Sequence, residues 1–260
     1  MSDLPSVKVA VPDVTVAAYR AVFLRVGAVL ELGWLPLLIL LAVSIVPAAL
    51  PADFGDKSAA LRALPDFLDL IAGALCLNAF GVRWYQAQLL GAAARQPWLG
   101  PWARFLLYTF ALYAALGAVL TAVLYLALAA EGRGIAVEAG VAAIDLAVAI
   151  GLLLTMARLA LLYPAAATGR PIGIRGAWRA TRGNGWRIVW CWLFATAPLL
   201  LAVQFIMGAV FSGFQLGARA PMGLFILRGL VGTVADFLIA ALGAVVLSEF
   251  YRRLVQAQES

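Results

Sequence analysis

The sequence predicts an all-α membrane protein, a polytopic transmembrane helix bundle of about six spans. Three segments longer than a bilayer is thick carry no charged residue: Leu32–Ala52, Phe105–Ala130 and Ile188–Ala218. A helix needs about 20 apolar residues to cross the hydrocarbon core, whereas helices of soluble proteins keep one polar face. The chain of 260 residues is 65% hydrophobic and only 12% charged, which leaves little room for a soluble domain.

Three further segments have charges at or near their ends, and they bring the expected number of spans to six. The expected spans are 32–52, 66–90, 103–130, 141–163, 188–212 and 224–250. They form a single transmembrane domain of residues 13–260, which follows a disordered cytoplasmic tail, 1–12. An amphipathic cytoplasmic loop is expected at 170–187. Prolines occur at the joints, where a helix must stop. Pro198 is different, because it lies well inside span five and should kink it.

The basic residues predict how the spans are oriented. Fourteen of the 19 fall on the side that holds both termini and the links after spans two and four, and five fall on the other side. An excess of Lys and Arg is typical of cytoplasmic loops, so both termini are expected in the cytoplasm. Arginine supplies 17 of the 19, a bias typical of GC-rich bacterial genomes. The expected location is therefore a bacterial inner membrane.

The segment ahead of span one has the pattern of an amphipathic helix in the plane of the lipid headgroups. Tyr19, Phe23, Val26 and Leu30 repeat at helical spacing, and arginines occupy other faces. The chain would then turn into the membrane at Gly33. A simple N-terminal extension of span one accounts for the same pattern, so both alternatives stay open.

The loop between spans four and five is the second amphipathic segment and the main candidate for a functional surface. Arg175, Arg179 and Arg182 are spaced to share one helix face, Trp178 faces the other way, and Trp186 opens span five. Each cation near an anionic leaflet contributes about 1 kcal/mol, and guanidinium groups bind phosphate through two parallel hydrogen bonds. The pattern favours binding of anionic phospholipid or of an acidic membrane partner. A loop that only sets the topology would also be basic.

Charged groups within the spans are the other candidates, because ionisable side chains at depth are costly and usually have a function or a partner. Asp236 lies near the middle of span six, on a strip of small residues that would let another helix pack closely. We expect it to face the bundle, with Arg228 as its nearest partner in the sequence. Glu31 is expected at the edge of span one, paired with an arginine. Asp236 is either a polar clamp between helices or the site of a small transporter or channel, which is the alternative function.

The sequence predicts a non-enzymatic protein without a metal or another cofactor. The chain has no histidine, so the commonest general base and zinc ligand are missing. Cys76 and Cys191 both fall in apolar segments and have no metal-ligand spacing. Gly-rich phosphate loops and a nucleophile elbow are absent as well. No nucleic-acid partner is expected, while a membrane-protein partner or a homo-oligomer is left open.

Two segments carry a recognisable pattern, VRWYQAQLLG at Val82–Gly91 and LYPAAATGRPIGIRGAWRATRGNGWRI at Leu162–Ile188. They resemble a family of uncharacterised bacterial six-helix inner-membrane proteins, which is loosely similar to the membrane domain of some glycerophosphodiester phosphodiesterases. The resemblance implies a six-span fold and an important inner loop. It implies no reaction, because nothing in the chain corresponds to the catalytic barrel of those enzymes. Relatives often carry a histidine and an arginine where this chain has Tyr85 and Gln86.

Overall fold

The structure, a computed structural model, describes residues 8–49, 59–91, 97–130, 135–211 and 222–256. Within these ranges the chain forms nine helices and no strand. The helices are α1 (Val11–Phe23), α2 (Val26–Ala49), α3 (Ala59–Leu89), α4 (Leu99–Ala130), α5 (Ile135–Leu159), α6 (Leu162–Ala167), α7 (Gly173–Ala180), α8 (Gly185–Phe211) and α9 (Met222–Leu254). Six of the nine contain a segment long and apolar enough to cross a membrane. The prediction of an all-α, multi-pass membrane protein is confirmed.

The six long helices, α2, α3, α4, α5, α8 and α9, correspond to the six predicted spans. Each begins two to seven residues before its span was expected to begin. Hydropathy marks only the apolar part of a helix, whereas the backbone hydrogen bonds continue into the polar flanks. α8 runs through Pro198 without ending there.

α9 is the central helix of the bundle, since it packs against α1, α2, α3, α6 and α8. The pairs α3–α4, α4–α5, α5–α8, α8–α9 and α9–α3 are all in contact, so these five helices follow one another around a ring. α2 packs against α3 and α9, and the short α6 packs against α3, α4 and α9. We call the end of the bundle that holds α1, α6, α7 and the C-terminal end of α9 the basic end.

α2, α3 and α9 approach one another closely around Gly33. A Cβ atom at Gly33 would lie 3.1 Å from the Phe237 ring and 3.2 Å from the Phe80 ring. The two rings pack with centroids 5.0 Å apart, and the indole Nε1 of Trp84 donates to the carbonyl of Ala241 at 3.2 Å. The predicted turn at Gly33 is therefore wrong. Gly33 lies inside α2, where its missing side chain lets two aromatic rings pack against the backbone.

Ordered structure begins closer to the N-terminus than the sequence predicts. The backbone N–H of Val9 donates to Asn184 Oδ1 at 3.4 Å, and its carbonyl accepts a hydrogen bond from Arg187 Nη1 at 2.8 Å. Val9 is buried by these contacts. The expected disordered tail 1–12 is therefore wrong for residues 9–12, because side chains far along the chain hold this segment. Residues 1–7 lie outside the described residues.

α1 is a helix of its own and not an extension of span one. It ends at Phe23, a turn follows, and α2 begins at Val26. α1 packs along α8 and α9 through a stripe of buried residues at helical spacing, Val14, Ala18 and Val22. The predicted segment is therefore divided: its part up to Phe23 forms a separate helix, whereas Val26 and Leu30 belong to α2 and extend span one.

Candidate functional site

The predicted basic loop folds into α6, α7 and a turn at the basic end. α6 is almost fully buried, and Gln86 Nε2 on α3 donates to the carbonyl of Ala167 at its C-terminal end, at 3.1 Å. The chain leaves α7 through residues 181–184, where Gly183 has a φ of 79°. Other residue types rarely adopt this left-handed conformation. The turn therefore fixes where α7 lies relative to the start of α8.

α7 presents the predicted arginines at the surface. Arg175 and Arg179 lie on the helix, and Arg182 follows in the turn, because α7 ends at Ala180. The expectation that all three share one helix is therefore wrong for Arg182. All three side chains are exposed, and among the described residues no carboxylate lies within 4 Å of any of them. Three positive charges on this short segment are not neutralised by a described acidic residue.

The two predicted tryptophans flank these arginines, and both are exposed. Trp178 is held in place by Arg158 of α5, whose Cζ lies 4.5 Å from the ring centroid, a cation–π contact. Ala177 is fully buried and Thr181 donates to its carbonyl at 2.8 Å, so one side of α7 is fastened to the bundle. Trp186, at the start of α8, is the other exposed ring. Indole rings at this level are typical of the membrane–water interface.

Most residues that carry the family resemblance are the buried ones of this joint. Ala166, Thr181 and Asn184 are almost completely buried, and Asn184 also accepts the hydrogen bond from Val9. These residues fold the segment rather than bind a ligand. The chemically useful groups of the segment are the exposed arginines and tryptophans.

Asp236 is not enclosed by the bundle, contrary to expectation. Its side chain is exposed, and a side chain added at Gly232 would meet open space. Further along the strip of small residues, Ala244 and Ser248 are buried. The reason is helical geometry: a step of four residues drifts about 40° around a helix of 3.6 residues per turn. The strip therefore rotates from the buried face at Ser248 to the exposed face at Asp236. A transporter that uses Asp236 within the bundle has no support from this position.

The other two predicted intramembrane charges are also exposed. Neither Arg228 nor Glu31 has an ion-pair partner within 4 Å among the described residues, so the expected arginine partner of Glu31 is absent there. The described carboxylate that does form ion pairs is Glu249. It contacts Arg252 at 2.6 Å and Arg253 at 3.6 Å.

The sequence did not indicate two cavities of the structure. One, of about 480 Å³, is a cleft between α1, α3 and α9 that is lined by three arginines and by small or apolar residues. The other, of about 340 Å³, is apolar and lies among α4, α5, α8 and α9. The cleft joins residues from both ends of the chain, so no local pattern could have shown it. Among the described residues, no three His, Cys, Asp or Glu side chains come together in a way that could hold a metal ion.

Comparisons of the chain with protein-family models, curated proteins and solved structures found no match. The resemblance to the six-helix inner-membrane family therefore stays a prediction. Function is therefore inferred from the geometry of this chain alone, beginning with the exposed arginines of the basic end.

Proposed function

We propose that this protein is a non-enzymatic membrane module that binds anionic phospholipid through α7 and the turn that follows it. A single observation carries the proposal. Arg175, Arg179 and Arg182 are exposed together on a segment fastened to the bundle, with no described carboxylate within 4 Å. Guanidinium groups without an internal partner favour an external anion, and they hold phosphate oxygens through paired hydrogen bonds.

The tryptophans favour a lipid over a soluble acidic ligand. Trp178 and Trp186 are exposed beside the arginines, and exposed indole rings next to basic groups suit the headgroup region, where one face is apolar and the other is wet. Trp178 is already held by Arg158, so its position costs little entropy when a lipid binds. Three cations at about 1 kcal/mol each supply roughly 3 kcal/mol, or about a hundredfold in affinity.

We further propose that the basic end faces the cytoplasm of a bacterial cell and that the membrane is the inner one. α1 and the C-terminal end of α9 lie at this end together with α7. Most of the chain's basic residues belong to the links and termini on this side. Lys and Arg are retained on the cytoplasmic side during insertion, and the cytoplasmic leaflet is also where anionic lipids act on such segments.

Native mass spectrometry of the detergent-purified protein, titrated with phosphatidylglycerol, tests the proposal. We expect the wild type to retain phosphatidylglycerol, and Arg175→Gln/Arg179→Gln/Arg182→Gln to retain at least one molecule fewer, with that site weakened about a hundredfold. The control is Arg83→Gln/Arg104→Gln/Arg228→Gln, which removes three exposed arginines elsewhere and should bind as the wild type does. Equal retention by the α7 variant and the wild type would reduce the segment to a topology signal.

A further inference from the structure

The 480 Å³ cleft at the basic end lies between α1, the C-terminal end of α3 and the C-terminal end of α9. Three guanidinium groups line it: Arg20 from α1, Arg25 from the turn between α1 and α2, and Arg252 from α9. The other polar side chains of its wall are Gln88 and Glu249, and the rest of the wall is small or apolar. Its size falls within the range of about 300–1,000 Å³ that is usual for small-ligand sites.

The cleft has an excess of positive charge. Arg252 donates to the Glu249 carboxylate at 2.6 Å and to a backbone carbonyl of α3, and Arg253 also contacts Glu249, at 3.6 Å. The one carboxylate of the wall is therefore already engaged by two arginines. Among the described residues, no other carboxylate lies within 4 Å of Arg20 or Arg25. The like charges that line the cleft repel one another, and a bound anion would relieve this repulsion.

We propose that this cleft is a second anion site, which binds the phosphate group of an anionic phospholipid. Arg252 is held by its two contacts and forms a fixed wall of the site. Arg20 and Arg25 are exposed and free to close on the phosphate oxygens in the two-point geometry that guanidinium groups prefer. The site does not depend on the function proposed for α7, because α7 packs against α5 and α6 and supplies no residue to the cleft.

The apolar rim of the cleft points to a lipid rather than to a free phosphate ion. Leu24 lines the cleft with 81% of its surface exposed, and the neighbouring Phe23 is half exposed. The membrane-spanning part of α2 begins directly after this corner, at Val26. An exposed apolar corner between basic groups is typical of a surface that lies in the headgroup region. A lipid phosphate in the cleft would leave its acyl chains beside Leu24 and Phe23, whereas free phosphate needs neither residue.

Phenylglyoxal labelling of the full-length protein in nanodiscs tests the proposal at the level of single arginines. The reagent modifies exposed arginines, and peptide mass spectrometry reads the rate at each one. We expect phosphatidylglycerol in phosphatidylcholine nanodiscs to slow the modification of Arg20 and Arg25 about tenfold relative to phosphatidylcholine alone. Arg104 is exposed on α4 outside the cleft, and its rate should stay the same, which controls for a general effect of membrane charge.

Four further samples separate the possible results. Inorganic phosphate added to phosphatidylcholine nanodiscs should not protect Arg20 or Arg25, and protection by phosphate but not by phosphatidylglycerol would overturn the lipid as the ligand. The Arg175→Gln/Arg179→Gln/Arg182→Gln variant should keep the protection, so failure of the α7 proposal would leave this result unchanged. In native mass spectrometry, Arg20→Lys/Arg25→Lys should bind phosphatidylglycerol more weakly than the wild type but more tightly than Arg20→Gln/Arg25→Gln. Equal labelling rates in both lipids would overturn the site itself.

Discussion

The basic end and the opposite end of the bundle are built differently. At the basic end, residues distant in the sequence interlock: the Trp84 indole donates to a carbonyl of α9, and Arg187 donates to the backbone of Val9. Toward the opposite end, α4, α5 and α8 carry large apolar side chains that are exposed. Examples are Tyr125, Leu146 and Phe205. The same chain thus combines a closely packed end with an open one.

This difference shows which residues specify the fold and which only place it in the membrane. Lipid tails are as apolar as leucine, so exposed apolar surface costs little there and does not drive helices together. Close packing, aromatic contacts and hydrogen bonds do so instead, and in the described residues these are concentrated at the basic end. We therefore expect that end to contribute most of the stability, and it also carries both proposed lipid sites.

The largest expected effect comes from removing the same aromatic ring at each end. Phe250, near the C-terminal end of α9, is completely buried, whereas Phe205 on α8 is 77% exposed. Phe250→Ala should cost about 3–5 kcal/mol, because it leaves a cavity in a packed core. Phe205→Ala should change the free energy of unfolding by less than about 0.5 kcal/mol. SDS-induced unfolding in mixed micelles measures both, and similar losses would mean that the opposite end is packed as well.

Two glycines, one in a close helix contact and one facing open space, are expected to give effects of intermediate size. A Cβ atom at Gly33 would lie 3.1 Å from the Phe237 ring, whereas a Cβ atom at Gly117 in α4 would meet nothing within 4 Å. Gly33→Ala should cost about 1–2 kcal/mol, because the buried aromatic rings cannot move away. Gly117→Ala should stabilise α4 by about 0.5–1 kcal/mol, since alanine loses less backbone entropy. The two melting temperatures should shift in opposite directions, and a shift in the same direction would contradict the close approach at Gly33.

The six spans could be predicted because membrane crossing depends on a sum over about 20 residues. Such a sum is robust to local errors, so even segments with charged ends, such as those that became α3 and α9, were recognised. The apolar spacing of Tyr19, Phe23, Val26 and Leu30 indicated a helix but not its buried face, because Phe23, Val26 and Leu30 are exposed and Val14, Ala18 and Val22 are buried instead. The exposed positions of Arg175 and Arg179 followed from the same reasoning, because charged side chains avoid packed interiors.

The remaining features depend on contacts between segments far apart in the sequence. The order of Val9 needs Asn184 and Arg187, and the cleft needs arginines from both ends of the chain. No local window contains both partners of such contacts. Asp236 was misplaced for a geometric reason, since a pattern of four residues drifts around the helix over several turns. Sequence periodicity locates a face only over about two turns.

The smallest expected effect is that of a substitution at Asp236, which lies on α9 between the two ends. The residue after it, Phe237, is buried, while Asp236 itself is exposed. Asp236→Asn removes a charge that has no described ion-pair partner and should change the free energy of unfolding by less than about 0.5 kcal/mol. Ser248→Asn places the same amide on the buried face of α9, and it should cost about 1–3 kcal/mol because the larger side chain overpacks the site.

A carboxylate exposed within a span is costly in lipid, so the contrary result for Asp236→Asn would be informative. If this variant loses more than about 1 kcal/mol, or if its mass in nanodiscs by mass photometry falls to that of a smaller assembly, something must cover Asp236 in the membrane. A second copy of the chain or a membrane partner would then pack on the open end. In that case the exposed apolar halves of the helices would be an assembly surface and not a lipid-facing one. A neutral result would leave the basic end as the specific surface, because there several exposed arginines lie together on segments that are fastened to the bundle.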